Sequence, residues 1–153
     1  MKTLLEKQIT LTPEDEKTNV IVPFETDEAY KKLFISYSYF PKLLEDREKA
    51  EKLIEENLIR DAGDDAEKYS DYEKFMPLKN LITLSLDSQS DYRGAAHRQD
   101  SEQRHEIGPD FASPGFIKGE IGKGKWQLVL NVHAVVTDEV SCFLKVEAEE
   151  ECV

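Results

Sequence analysis

Apolar and polar residues alternate with a period of two in four separate stretches of this sequence, and this feature limits the possible folds more than any other. The stretches cover residues 33–39, 82–86, 126–136 and 140–148. Such alternation is typical of β-strands that bury one face and expose the other. Several strands of this kind in a chain of 153 residues predict a mainly β fold, an antiparallel β-sandwich that resembles a jelly roll.

Shorter segments supply the remaining strands. Residues 8–12 and 19–24 are predicted to form the first two strands. Pro23 places the second strand at an edge or near its end, because proline has no N–H to donate to a neighbour. Three further short strands are predicted, at residues 92–97, 104–107 and 116–121.

One region departs from the strand pattern. Five residues in it recur at spacings of three and four, as on one side of a helix. They are Leu43, Arg47, Ala50, Ile54 and Leu58, and four of them are apolar. Pro41 suits a helix start and Gly63 a helix end. We predict one amphipathic α-helix inserted at about residues 41–63, which packs on the body of the domain or, alternatively, binds a partner. Strands on both sides of it would form a single domain over residues 1–149, followed by an acidic tail at 150–153.

The charge of the chain narrows its possible partners. The formal net charge is −12, and such a field repels nucleic-acid phosphates and anionic lipid headgroups. We therefore expect no nucleic acid and no membrane among its partners. No apolar run approaches the roughly 18–20 residues that span a membrane, and the first residues are too charged for a signal peptide. These features predict a cytoplasmic protein.

The cysteines point the same way. Cys142 and Cys152 form no Cys-x-x-Cys pair, so two free thiols are expected in a reducing compartment. Cys142 falls in an alternating stretch and is predicted to be a small core residue. Cys152 belongs to the predicted tail, where oxidation is easier.

Residues 80–146 carry a resemblance to a known family. They resemble the non-catalytic β-sandwich domain that precedes the metal-dependent phosphoesterase domain in bacterial PHP (polymerase and histidinol phosphatase) proteins. The matching features follow in order: the hydrophobic stretch 80–86, Tyr92-Arg93-Gly94, Glu106-Ile107-Gly108, Ala112-Ser113-Pro114-Gly115-Phe116, Gly119-Glu120-Ile121, and Gly122-Lys123-Gly124-Lys125-Trp126. Pro114-Gly115 is predicted to form a turn in which glycine takes a positive φ, and Trp126 to bury its ring between the sheets.

The resemblance implies an accessory or interaction module rather than an enzyme. Phosphoesterase chemistry of this kind needs histidines and carboxylates that hold metals, and the three histidines form no His-x-His pair. The implied partner is a phosphoesterase chain, another protein or a small polar ligand. No cofactor is expected.

The strongest candidate site is a polar cluster in residues 87–98, which predicts a sugar-binding or small-anion-binding site at one end of the sandwich. Its members combine hydrogen-bond acceptors with guanidinium groups, each of which can donate two parallel hydrogen bonds to an anion. They are Asp87, Asp91, Arg93, His97 and Arg98. The alternative is a solvated turn followed by an exposed strand face.

The sequence contains three further candidate sites, of which two would bind a metal ion and one would be a face of the sheet. Asp87 and Asp91 can contribute to calcium binding, although calcium needs six to eight oxygens. A transition-metal site would need His97, His105 and His133, whose spacing is not that of ligands. The face that carries Gln127, Asn131 and His133 is an outward sheet face or, alternatively, a second carbohydrate surface.

Overall fold

A computed structural model describes residues 1–44, 48–49, 51–55, 78–89, 91–96 and 100–151. Eight strands occur in this part of the chain. In chain order they are β1 (Lys2–Leu11), β2 (Thr18–Thr26), β3 (Tyr30–Phe40), β4 (Leu81–Ser88), β5 (Tyr92–Ala96), β6 (Glu102–Ile107), β7 (Gly124–Ala134) and β8 (Val140–Glu150). A short 3₁₀ turn, Pro13–Asp15, joins β1 to β2.

The strands form two sheets whose order confirms the predicted fold class. Sheet A has the order β1-β8-β3-β6 and sheet B the order β2-β7-β4-β5. Every pairing is antiparallel. Of the strands that follow one another in the chain, only β4 and β5 are hydrogen-bonded neighbours. All the other connections between consecutive strands cross from one sheet to the other. This is the eight-stranded jelly-roll arrangement. Pro23 lies in β2, an edge strand, as predicted.

The core lies between the two sheets and follows the alternation of the sequence. Ile82, Leu84 and Leu86 are fully buried on β4, and alternate residues of β3 and β8 are buried in the same way. Trp126 is 4% exposed and stacks on Phe24, with ring centroids 6.3 Å apart. Each large side chain buried in this way stabilises the fold by roughly 1.5–3 kcal/mol.

The first strand is longer than predicted. It starts at Lys2 rather than at residue 8 and pairs with β8 as far as Ala148. A register irregularity between Thr3 and Leu5 interrupts the pleat, so the alternation is lost in this part of the sequence. An edge strand also needs fewer apolar residues, because it has a neighbour on one side only.

The helix begins later than predicted. Leu43 forms an isolated bridge with Lys79, and the N–H of Leu44 donates to the carbonyl of Leu78 at 2.9 Å. The chain is therefore extended here, and the described helical residues are 48–49 and 51–55. Ile54 is 5% exposed, which confirms its place on the apolar face. Arg47, Ala50, Leu58 and the predicted helix end lie outside the described residues. The division into one domain over 1–149 and a tail stays a prediction.

The predicted strand at residues 116–121 is wrong. The segment makes two isolated bridges, Phe116 with Gly94 of sheet B and Ile121 with Tyr30 of sheet A. A segment that passes from one sheet to the other cannot pair continuously with either. The turn before it has the predicted geometry, since Gly115 has a φ of 92°.

The end of β7 also differs from the prediction. Ala134 and Val136 were expected on the buried face, but Val135 is the buried residue, at 2% exposed. The N–H of Val135 donates to Glu16 Oε1 at 2.9 Å, and the N–H of Val136 donates to Asn80 Oδ1 at 2.7 Å. These side chains accept the hydrogen bonds that a neighbouring strand would otherwise accept. The regular pleat therefore ends here, and the alternation of buried and exposed residues shifts by one position.

Cys142 occupies the core, as predicted. It is fully buried on β8, and burial raises the pKa of its thiol to about 12. Cys152 lies outside the described residues.

A hydrogen-bonded group at the start of β1 gives the fold an acid-sensitive point. The ammonium of Lys2 and the hydroxyl of Tyr30 both donate to the carboxylate of Asp27. These two hydrogen bonds lower the pKa of Asp27 from 3.8 to about 2, and the bond from Lys2 has the larger effect. The folded pKa is below the unfolded one, so ionised Asp27 stabilises the fold above about pH 4, and this contribution is lost as the pH falls towards 2.

We expect an NMR titration of the Asp27 carboxyl carbon to have its midpoint near 2. In Lys2→Gln the midpoint should rise towards 3.8, because the strongest bond to the carboxylate is gone. Lys7→Gln is the control, because Lys7 is an exposed lysine of the same strand that does not contribute to the Asp27 shift, and the Asp27 midpoint should stay near 2 in this variant. A wild-type midpoint near 3.8 would contradict the bonded geometry.

Candidate functional site

The hairpin between β4 and β5 brings three of the five predicted site residues to one end of sheet B. Asp87 lies near the end of β4, Asp91 in the turn and Arg93 on β5. The N–H of Ser88 donates to the carbonyl of Asp91 at 2.8 Å and closes the turn. His97 and Arg98 lie outside the described residues, so their predicted role stays a prediction.

Arg93 is buried inside the protein. It is 8% exposed, and its guanidinium carbon lies 5.1 Å from the centre of the Trp126 ring. Nη1 donates to the carbonyl of Glu120 at 3.0 Å, and Nη2 donates to that of Ile117 at 3.4 Å. Burial is the main cause that lowers the pKa of this guanidinium. Arg93 thus holds the segment 117–120 against sheet B, and two of its donors face backbone oxygens.

The close packing around Arg93 explains two glycines. A Cβ on Gly119 would lie 3.0 Å from Arg93 Nη2. A Cβ on Gly94 would lie 2.4 Å from the carbonyl oxygen of Gly115, and Gly94 has a φ of 108°. Some of the residues on which the predicted resemblance rests therefore meet in one structural unit, which we call the Arg93 knot: Arg93, Gly94, Gly115, Phe116, Gly119, Glu120 and Trp126.

Beside the knot is an open cleft of about 480 Å³, which we call the end cleft. Asp87 Oδ2 accepts a hydrogen bond from Gln127 Nε2 at 3.0 Å. The ring of Tyr92 is 56% exposed. The polar and aromatic lining consists of Asp87, Ser88, Gln89, Asp91, Tyr92, Lys125, Trp126 and Gln127. The volume is within the range of small-molecule sites.

The chemistry of the end cleft suits a polyhydroxyl ligand. The carboxylates of Asp87 and Asp91 accept hydrogen bonds from hydroxyl groups, and the Lys125 ammonium donates to them. The exposed Tyr92 ring offers an apolar face to the C–H groups of a sugar. The sequence pointed to Asp87 and Asp91 but missed Tyr92 and Lys125, and it assigned Gln127 to a different surface. Tyr92 was within reach as an aromatic residue beside the turn, whereas the other two depend on the β4–β7 pairing.

Metal-binding side chains do not gather in the described part of the chain, and the calcium role of Asp87 and Asp91 stays a prediction. No group of three or more described His, Cys, Asp or Glu residues is placed to hold a metal ion. His105 is buried in sheet A, where its ring centre lies 4.8 Å from that of Phe116. His133 is exposed on sheet B, where Nε2 lies 2.9 Å from Thr83 Oγ1. The two histidines thus belong to different sheets.

The outer face of sheet B is mixed rather than uniformly polar. Gln127, Asn131 and His133 share it, as predicted. Val129 on this face is 9% exposed, although it lies outside the main core cluster, while its partner Ile21 is 58% exposed. Part of the face is therefore covered.

No helix in the described part of the chain has the length and apolarity needed to cross a membrane.

A second concave surface was missed by the sequence analysis. It is a trough of about 470 Å³ across the outer face of sheet A. Phe143, on a central strand, is 45% exposed in it. We call this surface the sheet A trough, and its outward side chains include Glu6, Gln8, Ser36, Ser38, Glu102, Phe143 and Lys145. The only sequence signal was a phenylalanine in the outward register of β8.

Comparison with known proteins gives a likeness in shape. No family model matches the chain, and no curated protein matches it. Among solved structures, the pre-peptidase C-terminal domain of a collagenase from Bacillus anthracis is similar, with a TM-score of 0.48 and 11% identity. The alignment covers 96% of this chain and 91% of that one. A likeness at this level carries no argument about function, and the link to PHP-type phosphoesterases stays a prediction.

Proposed function

We propose that this chain is a non-catalytic binding module that holds a small carbohydrate in the end cleft. The observation that carries the proposal is the arrangement of Asp87, hydrogen-bonded to Gln127 at 3.0 Å, beside the half-exposed ring of Tyr92. Planar polar side chains next to an exposed ring match the two kinds of surface that a sugar presents, its hydroxyl groups and its C–H face.

A carbohydrate fits the cleft better than an anion. The guanidinium of Arg93 lies over Trp126 and donates to two backbone carbonyls. Lys125 lines the end cleft together with the carboxylates of Asp87 and Asp91. The net charge of −12 adds a repulsive field. A neutral ligand avoids that repulsion and still uses the carboxylates as acceptors.

The placement of the reactive residue types supports a binding role. Cys142 is buried in the core, and His105 is buried against Phe116. The hydroxyl oxygen of Ser113 accepts the N–H of Glu106 at 2.9 Å. None of these three lines the end cleft. We assign the carboxylates of the cleft to ligand binding, where Asp87 is already oriented by its hydrogen bond from Gln127.

Isothermal titration calorimetry with a panel of mono- and disaccharides tests this proposal. The wild type should bind at least one of these sugars, and the affinity should fall about tenfold in Asp87→Asn and in Tyr92→Ala. The first change removes the charge of a hydrogen-bond acceptor, and the second removes the ring face on which the sugar stacks. Asp110→Asn is the matched control, because Asp110 is exposed in a loop outside the cleft. Equal affinity in all four proteins, or turnover of a glycoside by the pure chain, would contradict the proposal.

A second candidate is an accessory role beside a PHP-type phosphoesterase in the cytoplasm. It is supported by the Arg93 knot, in which some of the residues of the resemblance pack together. Size-exclusion chromatography with a PHP-type phosphoesterase encoded in the same genome tests it, with co-elution as a stoichiometric complex as the expected result. Separate elution at concentrations well above micromolar, or metal-dependent phosphoester turnover by this chain alone, would count against it.

A further inference from the structure

The sheet A trough exists because one central strand presents short side chains where its neighbours present long ones. Phe143 of β8 lies opposite Gln8 on one side and Ser38 on the other. Lys145, two residues further, lies opposite Glu6 and Ser36. The two serines are too short to cover the side chains beside them, so the surface is hollow along β3.

Phe143 differs from Phe34, another aromatic residue in the outward register of sheet A. The ring of Phe34 is covered by the guanidinium of Arg104, which lies 5.5 Å from the ring centre. Among the described residues, no ring or cation packs over the ring of Phe143 in this way. A half-exposed ring in the middle of a sheet is an apolar platform that a ligand can cover.

The charges around the platform are of both signs, although the chain as a whole is strongly acidic. The outward side chains include the carboxylates of Glu6 and Glu102 and the ammonium group of Lys145. Mixed charges of this kind favour a neutral ligand over a strongly charged one. The hydroxyls of Ser36 and Ser38 and the amide of Gln8 offer donors and acceptors at the edges of the ring.

We propose that the sheet A trough is a second binding site, for the sugar ring of an oligosaccharide whose C–H face stacks on Phe143. The polar side chains around the ring would hydrogen-bond the hydroxyl groups of that sugar. The trough lies on sheet A, whereas the end cleft lies at one end of sheet B. The site is therefore independent of the end cleft, and two sites on one module allow a long glycan to bind with higher avidity.

NMR titration of the whole chain with cellohexaose, maltohexaose and chitohexaose tests the proposal. At least one hexasaccharide should shift the amide signals of Ser36, Ser38, Phe143 and Lys145. Tyr92→Ala, which alters the end cleft, should leave these shifts in place. Shifts confined to residues 87–92 and 125–127, or no shifts with any of the three sugars, would overturn the second site.

A pair of phenylalanine variants provides the matched comparison. Phe143→Ala should weaken hexasaccharide binding about tenfold, and Phe143→Trp should preserve it, because stacking needs only a ring face. Phe111→Ala makes the same change at an exposed phenylalanine in the loop after β6 and should bind as the wild type does. Equal affinity of Phe143→Ala and Phe111→Ala would contradict the proposal. So would a dimer, seen by light scattering, that disappears in Phe143→Ala, because the trough would then bind a second copy of the chain.

Discussion

Replacing Gly94 with alanine should lower the free energy of unfolding by about 3–5 kcal/mol, a large share of the stability of a domain of this size. Gly94 has a φ of 108°, which side chains rarely adopt. The new Cβ would also lie 2.4 Å from the carbonyl oxygen of Gly115 and 2.5 Å from Phe116 Cα. Both contacts are with backbone atoms, so no side-chain rotation relieves them.

The backbone around Gly94 has little room to move. The N–H of Ala95 donates to the carbonyl of Gly115 at 3.0 Å, and the N–H of Ile117 donates to the carbonyl of Arg93 at 3.0 Å. Relief of the clash would break these bonds and draw Arg93 away from Trp126. Strain and lost contacts therefore add to each other.

Gly122→Ala is the control for this prediction. A Cβ on Gly122 meets no atom within 4 Å, and its φ is not in the positive region. We expect a change within about 0.5 kcal/mol. Urea denaturation followed by Trp126 fluorescence measures both variants. Similar midpoints for the two would show that the Arg93 knot is not packed as described.

Asn80→Ala should have the second-largest effect, a loss of about 3 kcal/mol. The side chain is fully buried. Its amide nitrogen donates to the carbonyl of Pro41 at 2.8 Å and to Thr137 Oγ1 at 2.9 Å, and its amide oxygen accepts the N–H of Val136 at 2.7 Å. Alanine removes all three hydrogen bonds, which join the start of β4 to two other parts of the chain, at Pro41 and at residues 136–137.

Asn19→Ala is the matched control, because Asn19 is exposed on the edge strand β2. Its loss should change the stability by less than about 0.5 kcal/mol. Thermal unfolding by circular dichroism compares the two variants. If Asn80→Ala melts as Asn19→Ala does, Asn80 does not join β4 to the segments around Pro41 and Val136.

The strands were predictable from the sequence, but their neighbours were not. Ile82, Leu84 and Leu86 alternate so regularly that one face of β4 had to be buried. That β1 pairs with β8, and not with β2, depends on contacts between distant residues. The alternation also failed where side chains capture the backbone, as Glu16 and Asn80 do at Val135 and Val136.

The candidate sites divide in the same way. Asp87, Asp91 and Arg93 lie on one hairpin because they are close in sequence, but only the two aspartates line the end cleft. The burial of Arg93 depends on Trp126 and on residues 117–120, which only the fold brings near. The sheet A trough draws on four strands, so no local pattern could reveal it.

The central claim is that the carboxylates of the end cleft bind a ligand while Arg93 maintains the fold. An NMR titration of the wild type with the saccharide panel, which follows backbone amides and the Arg93 side-chain N–H together, tests it most directly. The account predicts that the largest shifts occur at Asp87, Asp91, Tyr92 and Gln127, while the Arg93 side-chain signal stays in place. Unchanged spectra up to about 20 mM of every saccharide, or a largest shift at the Arg93 guanidinium, would contradict it.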